Sequence, residues 1–103
     1  MAFSWWETGN GRSGFESVAT GETMTVQADT GGIWKVINIF HSGGITLHMV
    51  DADGNDCEFH STADEKGSLE FLNIQIQDSD HFWLEIDNDN ASDNVIAVDA
   101  IVW

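Results

Sequence analysis

The sequence predicts an all-β fold: an antiparallel β-sandwich or jelly roll of about eight strands, in a single domain spanning residues 1–103. Three observations predict it. Short runs rich in Val, Ile, Thr, Phe and Trp recur along the chain, which is strand chemistry. Between them, Gly, Asp, Asn and Ser supply the turns, with no proline anywhere. No segment sustains the 3.6-residue apolar period of an amphipathic helix.

The runs lie near 3–7, 14–20, 22–28, 33–42, 45–51, 57–63, 68–77, 81–88 and 95–103. In the first, Trp5 and Trp6 are adjacent, and strand geometry sends adjacent side chains to opposite faces. One indole is therefore expected in the core. The other must lie flat on its own domain, meet a neighbouring subunit or serve as a sugar platform. Gly43-Gly44 predicts a two-residue hairpin turn that pairs Ser42 with Ile45 and Phe40 with Leu47. That register puts Trp34, Val36, Phe40, Ile45, Leu47 and Met49 on a core face. Ile37, Ile39, His41, Thr46, His48 and Val50 fall on the other, half-apolar face. Asp53-Gly54 predicts a second hairpin, between "ITLHMV" and "CEFHS". In "HFWLEID", Phe82, Leu84 and Ile86 point inward, and Trp83 is expected on the polar face with His81, Glu85 and Asp87. The last run, "VIAVDAIVW", is apolar on both faces, so a cover is expected on each side, the outer one a second subunit. The predicted core is Val36, Phe40, Leu47, Leu72, Ile74, Phe82, Leu84, Ile86 and Val98.

Charge narrows the partners. The 103 residues carry 18 Asp and Glu against 3 Lys and Arg, a formal net charge of −15. Arg12, Lys35 and Lys66 cannot make a positive stripe, which argues against nucleic acid and anionic membrane surfaces as partners. The start "MAFSWWETGN" lacks the pattern of a signal peptide, and no apolar run reaches membrane-spanning length. The one cysteine, Cys57, excludes an internal disulfide framework.

Motifs for chemistry are missing. There is no G-x-S-x-G elbow, phosphate loop or H-E-x-x-H, so no enzymatic activity, catalytic residue or cofactor is expected. "DADGNDCE" fails the EF-hand pattern, since Asp56 and Thr62 stand where Gly and Glu are required. In "DNDNASDN", Asp87, Asp89 and Asp93 are the candidate oxygen ligands for a structural cation, weighed against a solvated loop. The hairpin register makes His41 and His48 diagonal neighbours, with Cys57 and His60 near in sequence, but no pair has a recognised zinc-ligand spacing. Asn90 opens a glycosylation sequon, read as chance without an export signal.

The acidic, lysine-poor composition resembles proteins of halophilic archaea and their viruses. Such a surface repels itself in dilute buffer and is screened in molar salt. The early strand "FSWWET", the run "TGGIWKVINIF" and the evenly spaced strands closing on "VIAVDAIVW" are similar to small β-sandwich virion proteins of tailed and icosahedral viruses. This resemblance covers most of the chain. It implies a structural role as capsid decoration (cement), turret or tail component, in a virion assembled in the host cytoplasm. The implied partners are further copies of the chain and other virion proteins, in a cyclic homo-oligomer. Trp5, Trp6, Trp83 and Trp103 are the candidate interface residues. The alternative is a carbohydrate-binding module that stacks glycans on exposed Trp83 and Trp5 or Trp6.

With nearly all charges of one sign, stability is expected to rise with ionic strength. Thermal melts from low to molar salt check this, and a flat Tm would count against salt adaptation.

Overall fold

The structure, a computed structural model, describes residues 3–63 and 65–103; Met1, Ala2 and the Asp64 of the predicted "ADEKG" break lie outside the described residues. Among the described residues there is no helix, and ten strands form. They are β1 (Trp6–Thr8), β2 (Gly11–Val18), β3 (Thr23–Val26), β4 (Trp34–His41), β5 (Ile45–Asp51), β6 (Asp56–Ser61), β7 (Gly67–Leu69), β8 (Ile74–Ile76), β9 (Phe82–Asn88) and β10 (Asn94–Val102). Sheet I has the order β1-β2-β10-β4-β7, with β8 also paired to β4; sheet II has the order β3-β9-β5-β6. Every pairing is antiparallel. The expected all-β, sandwich-like fold is therefore present. With β7 and β8 taken as one interrupted strand and β1 as an added edge, the strands follow jelly-roll order. The two inner faces meet in one core. Val18, Val36, Ile39, Ile96 and Val98 of sheet I pack against Met24, Val26, Leu47, Leu84 and Ile86 of sheet II, all fully buried.

The N-terminal segment straps the two sheets together along one side. The Phe3 amide donates to the Thr25 carbonyl of sheet II at 3.1 Å, and three residues later the chain joins sheet I as β1. Between these points Trp5 turns inward. Its indole meets Phe3 and Trp34 edge-on, with centroids 4.7 and 5.2 Å away, and its Nε1 donates to the Gln27 carbonyl at 2.9 Å. Phe3 occupies the space a side chain at position 14 would need. A Cβ on Gly14 would sit 1.7 Å from the ring, so any larger residue there would displace Phe3. Trp6 points the opposite way, 79% exposed.

A bulge in β4 corrects the predicted core face. Asp99 pairs with Asn38 and Ala100 with Val36, so Ile37 has no partner on β10. The extra residue reverses the alternation. Trp34 and Val36 face inward before the bulge, and Ile39 and His41 after it. Phe40, predicted in the core, is pushed to the outer face, 37% exposed. Of the other predicted core residues, Val36, Leu47, Leu84, Ile86 and Val98 are buried, and Leu72, Ile74 and Phe82 are half-buried. The Ile37 carbonyl accepts from the Leu72 amide at 2.9 Å. Here the predicted 68–77 strand breaks into β7 and β8, with Phe71 in the left-handed region at φ 58°. That conformation costs roughly 1–2 kcal/mol for a residue with a Cβ.

The Gly43-Gly44 hairpin does not form. β4 and β5 belong to different sheets, and residues 42–44 carry the chain across. His41 and His48 are accordingly not neighbours on one sheet. The crossover is held by Asn94, which is fully buried. Its Oδ1 accepts from the Ser42 amide at 3.1 Å, the Ser42 hydroxyl at 3.2 Å and the Gly43 amide at 3.0 Å. Its Nδ2 donates to the Gly44 carbonyl at 3.1 Å and to Asn88 Oδ1 at 3.3 Å. Asn88 in turn donates to the Val18 carbonyl at 2.9 Å and the Ser92 carbonyl at 3.0 Å. The Asn90 side chain packs on Gly43, where a Cβ would lie 2.6 Å from it. The Asp53-Gly54 hairpin does form: β5 pairs with β6, Gly54 has φ 88°, and Asp51 Oδ1 accepts from the amides of Asp53 and Asn55.

Asn94→Ala removes these bonds and leaves the buried Gly43 amide without a partner, while the Ser42 amide keeps the Val95 carbonyl and the Gly44 carbonyl keeps the Asp89 amide. It should cost about 2–4 kcal/mol, read from the denaturant midpoint by circular dichroism.

Candidate functional site

The two outer faces of the sandwich differ in chemistry. On sheet I, residues opposite one another across the strands share a face. Phe15, Ala97 and Phe40 form one row, and Trp6, Ser13, Asp99 and Asn38 the next. Gly11, Ile101 and Lys35 follow. Phe15 is 72% and Trp103 73% exposed. Because Ala97 is small, Phe15 and Phe40 stand as walls on either side of it. With Trp6 and Asp99 they line a shallow groove of about 320 Å³. Asp99 accepts from the Ser13 hydroxyl at 2.9 Å and from Asn38 Nδ2 at 3.4 Å. Lys35 Nζ lies 5.1 Å from the Trp103 ring centroid, a cation–π contact. The paired strands thus present one carboxylate and one ammonium among aromatic, aliphatic and neutral polar side chains.

Sheet II presents the reverse. Thr23, Asp87, Thr46 and Ser61 form one outward row, and Thr25, Glu85, His48 and Glu58 the next. His48 Nδ1 donates to Asp56 Oδ1 at 2.8 Å and Nε2 to Asp87 Oδ2 at 2.5 Å. Donation from both nitrogens requires the imidazolium form. Burial pulls the His48 pKa down, but the hydrogen bonds and charges of Asp87 and Asp56 outweigh it, and the pKa is raised above its ordinary 6.5. Trp83 lies on this polar face as expected, half-buried, with its indole donating to Glu85 Oε2 at 2.9 Å.

The candidate interface residues therefore separate. Trp6 and Trp103 expose apolar surface at sheet I. Trp5 lies in the inner aromatic cluster, and Trp83 lies across the molecule among carboxylates. Phe15, Phe40 and Asp99 were not singled out by sequence reasoning. The alternation around Phe15 was the available signal, while Phe40 was hidden by the bulge. The candidate cation ligands do not converge. Asp87 binds Thr23 and His48, Asp89 accepts from the Thr46 hydroxyl, and Asp93 is exposed in the β9–β10 loop. Among the described residues no three His, Cys, Asp or Glu side chains are placed to hold a metal ion. His41 Nδ1 is instead bonded to the Gly43 carbonyl at 2.9 Å.

One further carboxylate is structural. Asp78 accepts from the Gly31 amide at 2.7 Å, from His81 Nδ1 at 2.7 Å and from the Asp80 amide at 3.0 Å. These bonds, the Gly31 amide first, hold its pKa at about 2 and pin the β3–β4 loop to the β8–β9 turn.

No protein-family model matches the sequence, and no curated protein matches it significantly.

Since His48 binds its proton more tightly folded than unfolded, its stabilisation is complete below pH about 6.5 and is lost as pH rises through the folded pKa. The Tm should fall between pH 6 and 9 more steeply in the native protein than in His48→Gln. Parallel slopes in the two melts would contradict this.

Proposed function

We propose that this chain is a structural assembly protein, working through the outer face of sheet I and adapted to concentrated salt. One observation carries the reading: in a chain of net charge −15, that face sets Trp6, Phe15, Phe40 and Ile101 among neutral polar side chains, and its paired strands present one acid and one base. The exposed parts of Trp6, Phe15 and Trp103 alone amount to roughly 400 Å², on the usual size of aromatic side chains. The largest apolar patch of an ordinary monomer is of this order and is often functional. A standard interface uses about 800 Å² per partner, which Phe40, Ile101 and a polar rim would complete. Any partner docked here leaves the acidic face of sheet II in solvent. The two-sided apolar pattern of β10 supports the same reading, because its outer row lies at the centre of the exposed face.

The setting we propose is a virus particle, with the chain as a decoration, turret or tail component that contacts its own copies and other virion proteins. This rests on the sequence pattern. The jelly-roll order is common to capsid and lectin domains, so the fold alone does not choose between assembly and glycan binding. The arrangement of indoles favours assembly. Of the platform on Trp83 and Trp5 or Trp6, only Trp6 stands fully open, since Trp5 is packed against Phe3 and Trp34 and Trp83 is half-buried and tied to Glu85.

Sedimentation of the native protein should show self-association that strengthens from dilute buffer to molar salt. Trp6→Ser should weaken it about tenfold or more, and Trp83→Ser should leave it unchanged. A monomer at every salt concentration would overturn the reading. If glycans then quenched tryptophan emission in the native protein but not in Trp6→Ser, the carbohydrate-binding alternative would take its place.

A further inference from the structure

Phe71 is unfavourable in two respects. It is a bulky residue in the left-handed backbone region, where glycine or asparagine is the usual choice. It is also 96% exposed, so its ring packs against almost nothing in its own chain. Neither helps a monomer fold. The residue stands at the break between β7 and β8, beside the outer face of sheet I, where its amide donates to Asn38 Oδ1 at 3.4 Å. Asn38 also bonds Asp99, which lines the aromatic groove. One face thus carries an exposed aromatic knob at its β7/β8 edge and an aromatic groove over β1, β2, β10 and β4. A strained, solvent-facing aromatic beside such a groove is the pattern of an interface anchor.

Phe71 does not fill the groove of its own chain, since its exposure shows that the ring is not folded back onto the sheet. We infer that Phe71 of one copy inserts into the Trp6–Phe15–Phe40 groove of a second copy. This rests on the assembly reading above and names its contact. Three features select a second copy as the occupant. The groove, about 320 Å³, has room for one aromatic ring, and its walls offer ring edges and faces for aromatic packing. The face carries Asp99 and Lys35 as opposite charges, so a copy turned to meet it supplies the complement of each. Knob and groove also share a face, so two copies can satisfy both reciprocally while the carboxylates of sheet II stay outside.

The test uses the intact chain in molar salt, with a dye on the exposed Cys57 of β6, in the other sheet. Phe71→Gly removes the knob and relieves the left-handed strain. Phe15→Ser removes one wall of the groove. Each variant alone should self-associate at least about 30-fold more weakly than the native protein, as expected for loss of an interface anchor. Melting of dilute Phe71→Gly should be unchanged or higher, and Phe71→Asn, which tolerates the same backbone, should repeat the loss of association. Mixed in equal amounts, labelled Phe71→Gly and unlabelled Phe15→Ser should form a species of two chains, one of each kind. The first supplies the groove and the second the knob. Native-strength association of Phe71→Gly, or a mixture that stays monomeric, would overturn this contact and leave the assembly face standing. A native protein that is itself monomeric would overturn both.

Discussion

Each strand has two faces, and a sandwich of two sheets has one interior. The main features of this chain follow from that constraint. Trp5 and Trp6 cannot share the core, so one indole seals the strap between the sheets and the other enters solvent. β10 is largely apolar on both sides, yet one side alone, with Ile96, Val98 and Ala100 buried and Val102 half-buried, finds the interior. The bulge at Ile37 lets β4 bury four large side chains, Trp34, Val36, Ile39 and His41, at the cost of turning Phe40 outward. The outward apolar residues collect on sheet I because its two central strands, β10 and β4, both carry more hydrophobic side chains than one face can hold.

Charge follows the opposite distribution. On the outer faces the carboxylates of the paired strands gather on sheet II, where threonine hydroxyls and His48 receive them, while the outer face of sheet I keeps Asp99 with both oxygens occupied. Two of the three basic side chains sit over indoles: Arg12 lies 5.3 Å from the Trp34 ring and Lys35 5.1 Å from Trp103. The Arg12 guanidinium also donates to the carbonyls of Gly9 and Gly11 at 2.9 Å, which ties it to the β1–β2 turn. So scarce cations support aromatic packing and turns, and the acidic surface is left to solvent ions. At molar salt the screening length shortens to about 3 Å, which weakens the repulsion between such surfaces.

The sequence by itself determined the all-β class, most strand positions, the Asp53-Gly54 hairpin, the inward run of Leu84 and Ile86 and the opposition of Trp5 to Trp6. These depend on period-two patterning and local turn chemistry, which act between residues close in the chain. Half of the candidate face was legible for the same reason, through Trp6, Trp103 and the apolar outer row of β10. The tertiary structure alone decided what depends on distant partners. Gly43-Gly44 reads as a hairpin from its neighbours, but Asn94, some fifty residues on, supplies the hydrogen bonds that carry the chain to the other sheet. Phe40 reads as core until a bulge reverses its side, and a bulge is set by pairing with β10, not by local composition. Phe71 reads as one more strand residue, and only the break opposite that bulge turns it into an exposed knob. Local propensity carries no information on which strand lies beside which, so the groove and its candidate anchor became visible only when the sheets were assembled.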